Sequence, residues 1–428
     1  MTDSTTSDVA PYLSAVFGDR PRVRPDLLIS RELGRGPDRM HLVKAPGGKT
    51  FEVTVKECFL IRGLDGSRPL AELGAAYAAR FGRRLGPAQW SQLLWLLSQR
   101  DLLATGPPSG TATRPPPGTV AGTDAPAIGS AGAPGGPPAG VPGGGIRRLA
   151  AALGWVFSVS AGVAVGLGLT AMYACVVLAF PRLWQDARPA FGDWRCLAGI
   201  VVVSYLSAML HELAHGVAAV HFGCIGVRIN LVALSCRVDD YQFLPSRAQQ
   251  VAIAAVGGVL NSLVVAPFLL AWLLVPPGSA VHRFTAAVIL VGAVQSVANY
   301  VPMAPLDGYK MLNHLLGMVA LAPESRRYLW SRPRRWVSRH GARYPWQTRL
   351  ALGFYGVGWH VATAATGAGV AYAGGRLLAP SWGRAAYAAS TALVVLTIVL
   401  WLAGSPRRQL RTPPINPPHE RRGDAAQR

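Results

Sequence analysis

Long apolar stretches recur along the chain from about residue 146 onward. Six of them could cross a hydrocarbon core about 30 Å thick, which takes about 20 residues of helix. They lie at about 158–180, 196–222, 250–275, 284–305, 351–373 and 385–403. The segment before the first span, 146–156, fits either an interfacial helix or an extension of that span. The pattern predicts a mainly α, polytopic membrane protein with about six transmembrane helices.

A different pattern lies between the second and third spans, from Cys224 to Pro245. Its β-branched residues and partial alternation predict strands or a hairpin rather than a helix. Such a segment is either an ordinary cytoplasmic loop or an unpaired strand edge. An unpaired edge could hold an extended peptide by adding it as a further strand.

The part of the chain before residue 105 has the pattern of a small globular domain. Strand-like RMHLVK and TFEVTV flank a turn at 45–48, and helical patterns follow at 56–64, 69–81 and 87–103. A hairpin with three short helices predicts an α+β, winged-helix-like domain over 20–104. An exposed strand edge at Met40–Lys44 or at Phe51–Val55 would be its docking surface for a peptide.

These patterns divide the chain into five segments. Residues 1–19 are predicted to be disordered, and 105–145 form a Pro/Gly-rich flexible linker. A transmembrane domain occupies 146–404 with its core at 196–317, and a basic tail follows at 405–428.

Charge adds an orientation to this picture. Half of the residues are hydrophobic and 15% are charged, yet the formal net charge is +21. Arginines concentrate between 326 and 349, in the tail and just before the first span, whereas the loops of the opposite side hold few. This bias predicts a multi-pass protein of the cytoplasmic membrane with both termini in the cytoplasm. Attachment to anionic lipid explains the arginines, and a DNA-binding tail is the alternative.

The second apolar stretch contains the pentapeptide HELAH. Residues four apart share one helix face, so His211 and His215 can both offer a ring nitrogen to one zinc ion. Glu212 would then be the base that takes a proton from the bound water. A charged residue deep in a bilayer costs about 2.5–3.5 kcal/mol on insertion scales, so Glu212 indicates a function. The alternative is a chance pattern on a packed helix.

A second motif lies at the end of the fourth apolar stretch, in the run NYVPMAPLDG. A catalytic zinc takes three protein ligands, and Asp307 is the candidate for the third. The Leu-Asp-Gly residues of this run also fit an ordinary turn after a helix. Asp239 and Asp240 are rival ligands, whereas His221, six residues after His215, projects to another face.

Together the two motifs resemble those of the site-2 protease family of intramembrane zinc metalloproteases. The resemblance covers about 196–317 and includes GGVLNS at 257–262. It implies that His211, His215 and Asp307 bind Zn²⁺ and that Glu212 is catalytic. It also implies substrate-binding roles for Asn299 and Asn261.

The N-terminal segment is similar in its order of elements to the PqqD-like domains that bind leader peptides of ribosomally made natural products. That resemblance implies a protease that removes the leader from a modified precursor peptide, with no nucleic acid as partner. DNA binding by this domain stays open. Two other functions also stay open: cleavage of a membrane-anchored regulator such as an anti-sigma factor, and a non-enzymatic transporter or immunity protein with structural zinc.

Overall fold

The computed structural model describes residues 20–45, 48–104, 144–330 and 344–404. The fold is mainly helical with small sheets, and it divides into two compact units. Within the described residues, one unit comprises 20–30, 41–45 and 48–104, and the other comprises 31–40, 144–330 and 344–404. The predicted disordered N-terminus at 1–19, the linker up to residue 143 and the basic tail at 405–428 lie outside the described residues.

The strands and helices predicted before residue 105 are present. The strands are β1 (Leu28–Ile29), β2 (Leu33–Arg35), β3 (Asp38–Lys44) and β4 (Thr50–Thr54), and the helices are α1 (Val55–Gly63), α2 (Leu70–Phe81) and α3 (Pro87–Gln99). Helix α1 begins with a capping box, in which Thr54 and Glu57 satisfy each other's backbone N–H. A left-handed Gly82 ends α2, and α3 ends four residues before the predicted 103.

The docking edge predicted at Met40–Lys44 is wrong. These residues lie on β3, which pairs antiparallel with β1 and β2 and also pairs with β4. Strand β4 pairs with β3 alone among the described residues, so the second candidate, at Phe51–Val55, keeps an edge to offer. The core of the first unit is apolar, with Val43, Ile61 and Leu97 fully buried.

The second unit is built from ten α-helices within the described residues. They are α4 (Gly144–Ala152), α5 (Val159–Leu178), α6 (Phe180–Ala187), α7 (Trp194–His221), α8 (Arg247–Leu274), α9 (Ala280–Tyr300), α10 (Asp307–Leu316), α11 (Leu321–Trp330), α12 (Trp346–Trp382) and α13 (Ala385–Gly404). Between α7 and α8 lies the predicted hairpin, formed by β5 (Val227–Asn230) and β6 (Ser235–Val238).

Four of these helices, α5, α7, α8 and α9, are long and apolar enough to cross a membrane. Helices α12 and α13 cover the predicted fifth and sixth spans. Within the described residues, neither helix is one of the four candidate membrane spans. The apolar part of α13, at Ala385–Thr397, is shorter than these spans. Residues 144–152 form a helix of their own, because a 3₁₀ turn at Gly154–Phe157 separates α4 from α5.

The fourth predicted span is too long at its end. Helix α9 stops at Tyr300 rather than at 305, and the chain turns before α10 begins at Asp307. Pro302 and Pro305 explain the stop, because proline cannot donate the backbone hydrogen bond that a helix interior requires. The short helices α6, α10 and α11 were not predicted, since each is too short to show a long periodic pattern.

Candidate metal centre

Two ring nitrogens of α7 point at each other. His211 and His215 lie one turn apart, both are buried, and their Nε2 atoms are 3.0 Å apart. The Nδ1 atom of His215 lies 2.6 Å from the carbonyl oxygen of Ile253 on α8. A hydrogen on Nδ1 makes this contact a hydrogen bond and leaves the Nε2 lone pair available to a metal ion. This arrangement is usual for metal-bound histidine.

Helix α8 can come this close because it has a glycine at the contact. A Cβ atom on Gly257 would lie 2.6 Å from His211 Cε1 and 2.6 Å from His215 Nε2. Side chains do not tolerate such distances, so both imidazoles occupy the space that any other residue would fill. Gly257 in the GGVLNS segment therefore supplies room for the two histidines.

The third group is Asp307, the first residue of α10. Its Oδ2 atom lies 2.9 Å from His211 Nε2 and 3.0 Å from His215 Nε2, and the side chain is buried. A helix N-terminus favours a carboxylate, because the first backbone N–H groups carry partial positive charge. Gly308 is equally constrained: a Cβ there would lie 2.3 Å from the carbonyl oxygen of Tyr300. The DG pair thus begins a helix packed on the end of α9.

The three residues fit a zinc ion. One ligand atom from each of His211, His215 and Asp307 lies within 4.8 Å of the other two, and all three residues are buried. Two imidazoles and a carboxylate are the donor set of many catalytic zinc sites, where ligand atoms lie about 3.3 Å apart around a tetrahedral ion. A small opening of the observed triangle would admit it. The group can hold a metal ion, and its donor set suits zinc.

Glu212 lies beside this triangle but is more open to its surroundings. It follows His211 on α7 and is half-buried, whereas the three ligand residues are buried. Burial, together with the negative charge of Glu212, raises the pKa of the Cys236 thiol on β6 to about 12. Both strands of the hairpin contact α7, the helix that carries Glu212.

One residue of the site was missed by the sequence reasoning. The ammonium Nζ of Lys310 lies 2.7 Å from Oδ1 of Asp307, whereas the contacts with the histidines are made by Oδ2. The three-residue spacing along a helix was the signal that could have found it.

The two predicted substrate-binding asparagines are placed differently. Asn261, one turn beyond Gly257, is 2% exposed, and its Oδ1 accepts a hydrogen bond from Ser207 Oγ at 3.1 Å. Asn299 is half-buried and donates to the backbone oxygen of Gln295 on its own helix at 3.1 Å. Both lie on the helices predicted for them, and these hydrogen bonds do not join them to the metal-ligand group.

The rival metal ligands are engaged elsewhere. Asp239 forms ion pairs with Arg228 at 2.7 Å and with Arg237 at 2.9 Å. Asp240 accepts a hydrogen bond from the backbone of Gly226. His221 stacks on Phe157, with 4.6 Å between ring centroids. Among the described residues, the metal-binding group is His211, His215 and Asp307 alone.

The hairpin packs beside the same stretch of α7. Strands β5 and β6 pair antiparallel, with Val227 opposite Val238 and Asn230 opposite Ser235. The hydroxyl of Tyr205 donates to the backbone oxygen of Val232 in the turn, across 2.9 Å. This bond ties the tip of the hairpin to the helix that carries the histidines. Within the described residues the two strands pair only with each other.

Comparison with known proteins adds no family. No family model, no curated protein and no solved structure matches this chain. The finding is therefore a buried His–His–Asp group able to hold a metal ion, next to a helix-borne glutamate. It lies in a unit with four helices that could span a membrane.

Proposed function

We propose that this protein is an intramembrane zinc metalloendopeptidase of the site-2 protease type. The observation that carries the proposal is the convergence of His211 and His215 from α7 with Asp307 from α10, with Glu212 beside the histidines. The ligands come from motifs 92 residues apart. Their convergence on one point supports a site selected for a function more than it supports a chance pattern.

In this proposal the chain's own groups handle the proton. When bound, zinc polarises the scissile carbonyl and lowers the pKa of a water molecule. Glu212 accepts a proton from the attacking water and delivers it to the amide nitrogen of the leaving peptide. The contact between His215 and Ile253 keeps one imidazole in the protonation state that a ligand needs.

The hairpin β5–β6 is the proposed holder of the substrate. A protease binds its peptide extended, and a two-stranded sheet offers free edges for backbone hydrogen bonds. Both strands contact α7, the helix that carries Glu212, so a peptide along this hairpin would lie close to that helix. Asn261 and Asn299 stay candidates for contacts with the substrate backbone, which would exchange for their bonds to Ser207 and Gln295.

The proposed topology has six spans, α5, α7, α8, α9, α12 and α13, with both termini in the cytoplasm. In that orientation the chain direction of α7 runs from the outer side of the membrane to the cytoplasmic side. His211 then lies about 15 residues, or roughly 23 Å, past the start of the predicted second span at 196. The site would occupy the cytoplasmic third of the membrane, where water can reach it from the cytosol.

The proposed substrate is a leader-bearing precursor of a ribosomally made, modified peptide. The N-terminal unit would recognise the leader along the edge of β4, which pairs with β3 alone among the described residues. The predicted Pro/Gly-rich linker at 105–145 would then let the bound precursor reach the membrane site by raising its effective concentration.

The test is cleavage by the purified full-length protein in lipid nanodiscs with zinc. Candidate leader-bearing peptides and single-span regulators are incubated with it, and new termini are identified by mass spectrometry. The proposal expects one defined cut in a leader-bearing peptide. Cleavage of the single-span regulators alone would support the protease activity but contradict the proposed substrate class. If substrates of both classes stay intact, the proposal of a protease is wrong.

A further inference from the structure

The carboxylate of Asp307 divides its two oxygens between two kinds of partner. Oδ2 faces His211 and His215 at 2.9 and 3.0 Å, and Oδ1 faces the ammonium of Lys310 at 2.7 Å. Lys310 lies three residues further along α10, so both groups come from the first turns of one short helix. The side chain of Lys310 is 46% exposed, whereas the carboxylate that it contacts is buried.

We propose that Lys310 is a positioning residue that holds Asp307 as a one-oxygen ligand of the metal. This inference rests on the metal site of the proposed function. By occupying Oδ1, the ammonium leaves Oδ2 as the only oxygen turned toward the two imidazole nitrogens. The carboxylate is then fixed in the orientation that a three-ligand site with an open position requires.

The physical reason lies in the burial of Asp307, which is 5% exposed. A buried carboxylate oxygen with no partner is unfavourable, and more so when it carries charge. Without Lys310, Oδ1 would turn toward the metal or toward another donor, and either motion rotates Oδ2 away from its place. An i,i+3 partner on the same helix prevents this without any change in the packing of α7, α8 and α10.

A second ion pair of the chain provides a matched control. Arg327 lies three residues after Glu324 on α11, with 3.0 Å between Nη1 and Oε1, and Glu324 is also buried. It has the same spacing, a similar distance and a buried acid, but its acid is not in the metal-binding group. Loss of this pair reports what an i,i+3 ion pair contributes to the fold alone.

The test measures zinc affinity of the full-length protein in nanodiscs by competition with a chromogenic chelator. Lys310→Met should weaken zinc binding about 10–100-fold, as loss of a residue that orients a ligand commonly does. Lys310→Arg, which keeps a cationic donor, should stay within about threefold of the wild type. Arg327→Met should bind zinc like the wild type.

Three results would overturn the inference. Wild-type affinity in Lys310→Met would show that Asp307 needs no holder. Equal weakening in Lys310→Met and Arg327→Met would assign the effect to the fold, and equal weakening in Lys310→Arg and Lys310→Met would show that a cationic donor is not what the site uses.

A spectroscopic measurement separates this inference from the proposed function. In the cobalt-substituted protein, Lys310→Met should change the visible absorption of Co²⁺, because the carboxylate coordinates differently, while Arg327→Met should not. An unchanged Co²⁺ spectrum in Lys310→Met overturns the inference alone. A wild-type protein that binds neither zinc nor cobalt removes the metal site itself, and with it the proposed function.

Discussion

The Nδ1 atom of His215 lies 2.6 Å from the carbonyl oxygen of Ile253, on the neighbouring helix α8. This contact links the motif on α7 to the backbone of a second helix. It sets which ring nitrogen carries hydrogen and thereby aims the Nε2 lone pair at Asp307 and His211. The geometry of the candidate metal centre therefore depends on how the helices pack as well as on the motif itself.

Substitution of each of the three ligand residues should reduce the zinc content of the protein to a different extent. The purified protein should hold about one zinc per chain. His211→Ala or His215→Ala should remove most of it, and Asp307→Ala should weaken binding while leaving some metal, because two imidazoles remain. Metal analysis of each purified variant, with circular dichroism as the control for folding, makes the comparison. Full zinc and full activity in Asp307→Ala would show that the third ligand is another residue.

Gly257 should be as sensitive as a ligand residue although it has no side chain. A methyl group there would lie 2.6 Å from atoms of both histidines, so Gly257→Ala should push the imidazoles apart and weaken zinc binding at least about tenfold. Gly166 on α5 is the control, since a Cβ there meets nothing within 4 Å. Gly166→Ala should keep zinc and gain up to about 1 kcal/mol of helix stability. Zinc competition on both variants decides it, and equal affinities would place Gly257 outside the site.

The predictions from sequence succeeded where the information is local. The i,i+4 spacing of His211 and His215 depends only on helix geometry, and the long apolar runs identified α7, α8 and most of α9. The end of α9 was predicted five residues late, because the apolar composition continues past Tyr300 although Pro302 and Pro305 follow it. Lys310 was missed even though its spacing from Asp307 is local.

Other features could not be predicted from local spacing. The acceptor for His215 is a backbone carbonyl on another helix, and every residue has one, so no residue type marks it. The docking edge at Met40–Lys44 failed for a related reason. Two additional short strands, β1 and β2, pair with β3, and strands of two or three residues show no readable alternation.

The link between Tyr205 and the hairpin should affect substrate binding rather than chemistry. Tyr205→Phe removes the hydroxyl that donates to the backbone oxygen of Val232 but keeps the ring. A hydrogen bond of this kind contributes about 0.5–1.5 kcal/mol, so KM should rise about 2–12-fold if the hairpin holds the peptide. Zinc content and kcat should stay near the wild-type values. Steady-state kinetics measure both, and a fall in kcat with unchanged KM would contradict a substrate-holding role for the hairpin.

The central claim, that Glu212 is the proton-transferring base of a zinc peptidase, is tested most directly by Glu212→Gln. The amide keeps the size of the side chain and its hydrogen bonding but cannot accept the proton from water. The measurement is turnover of a cleaved substrate by wild type and variant, with zinc content determined on the same samples. We predict that Glu212→Gln retains its zinc and its fold while turnover falls by at least about 10²–10⁴-fold. Wild-type turnover by a zinc-loaded Glu212→Gln protein would contradict the account.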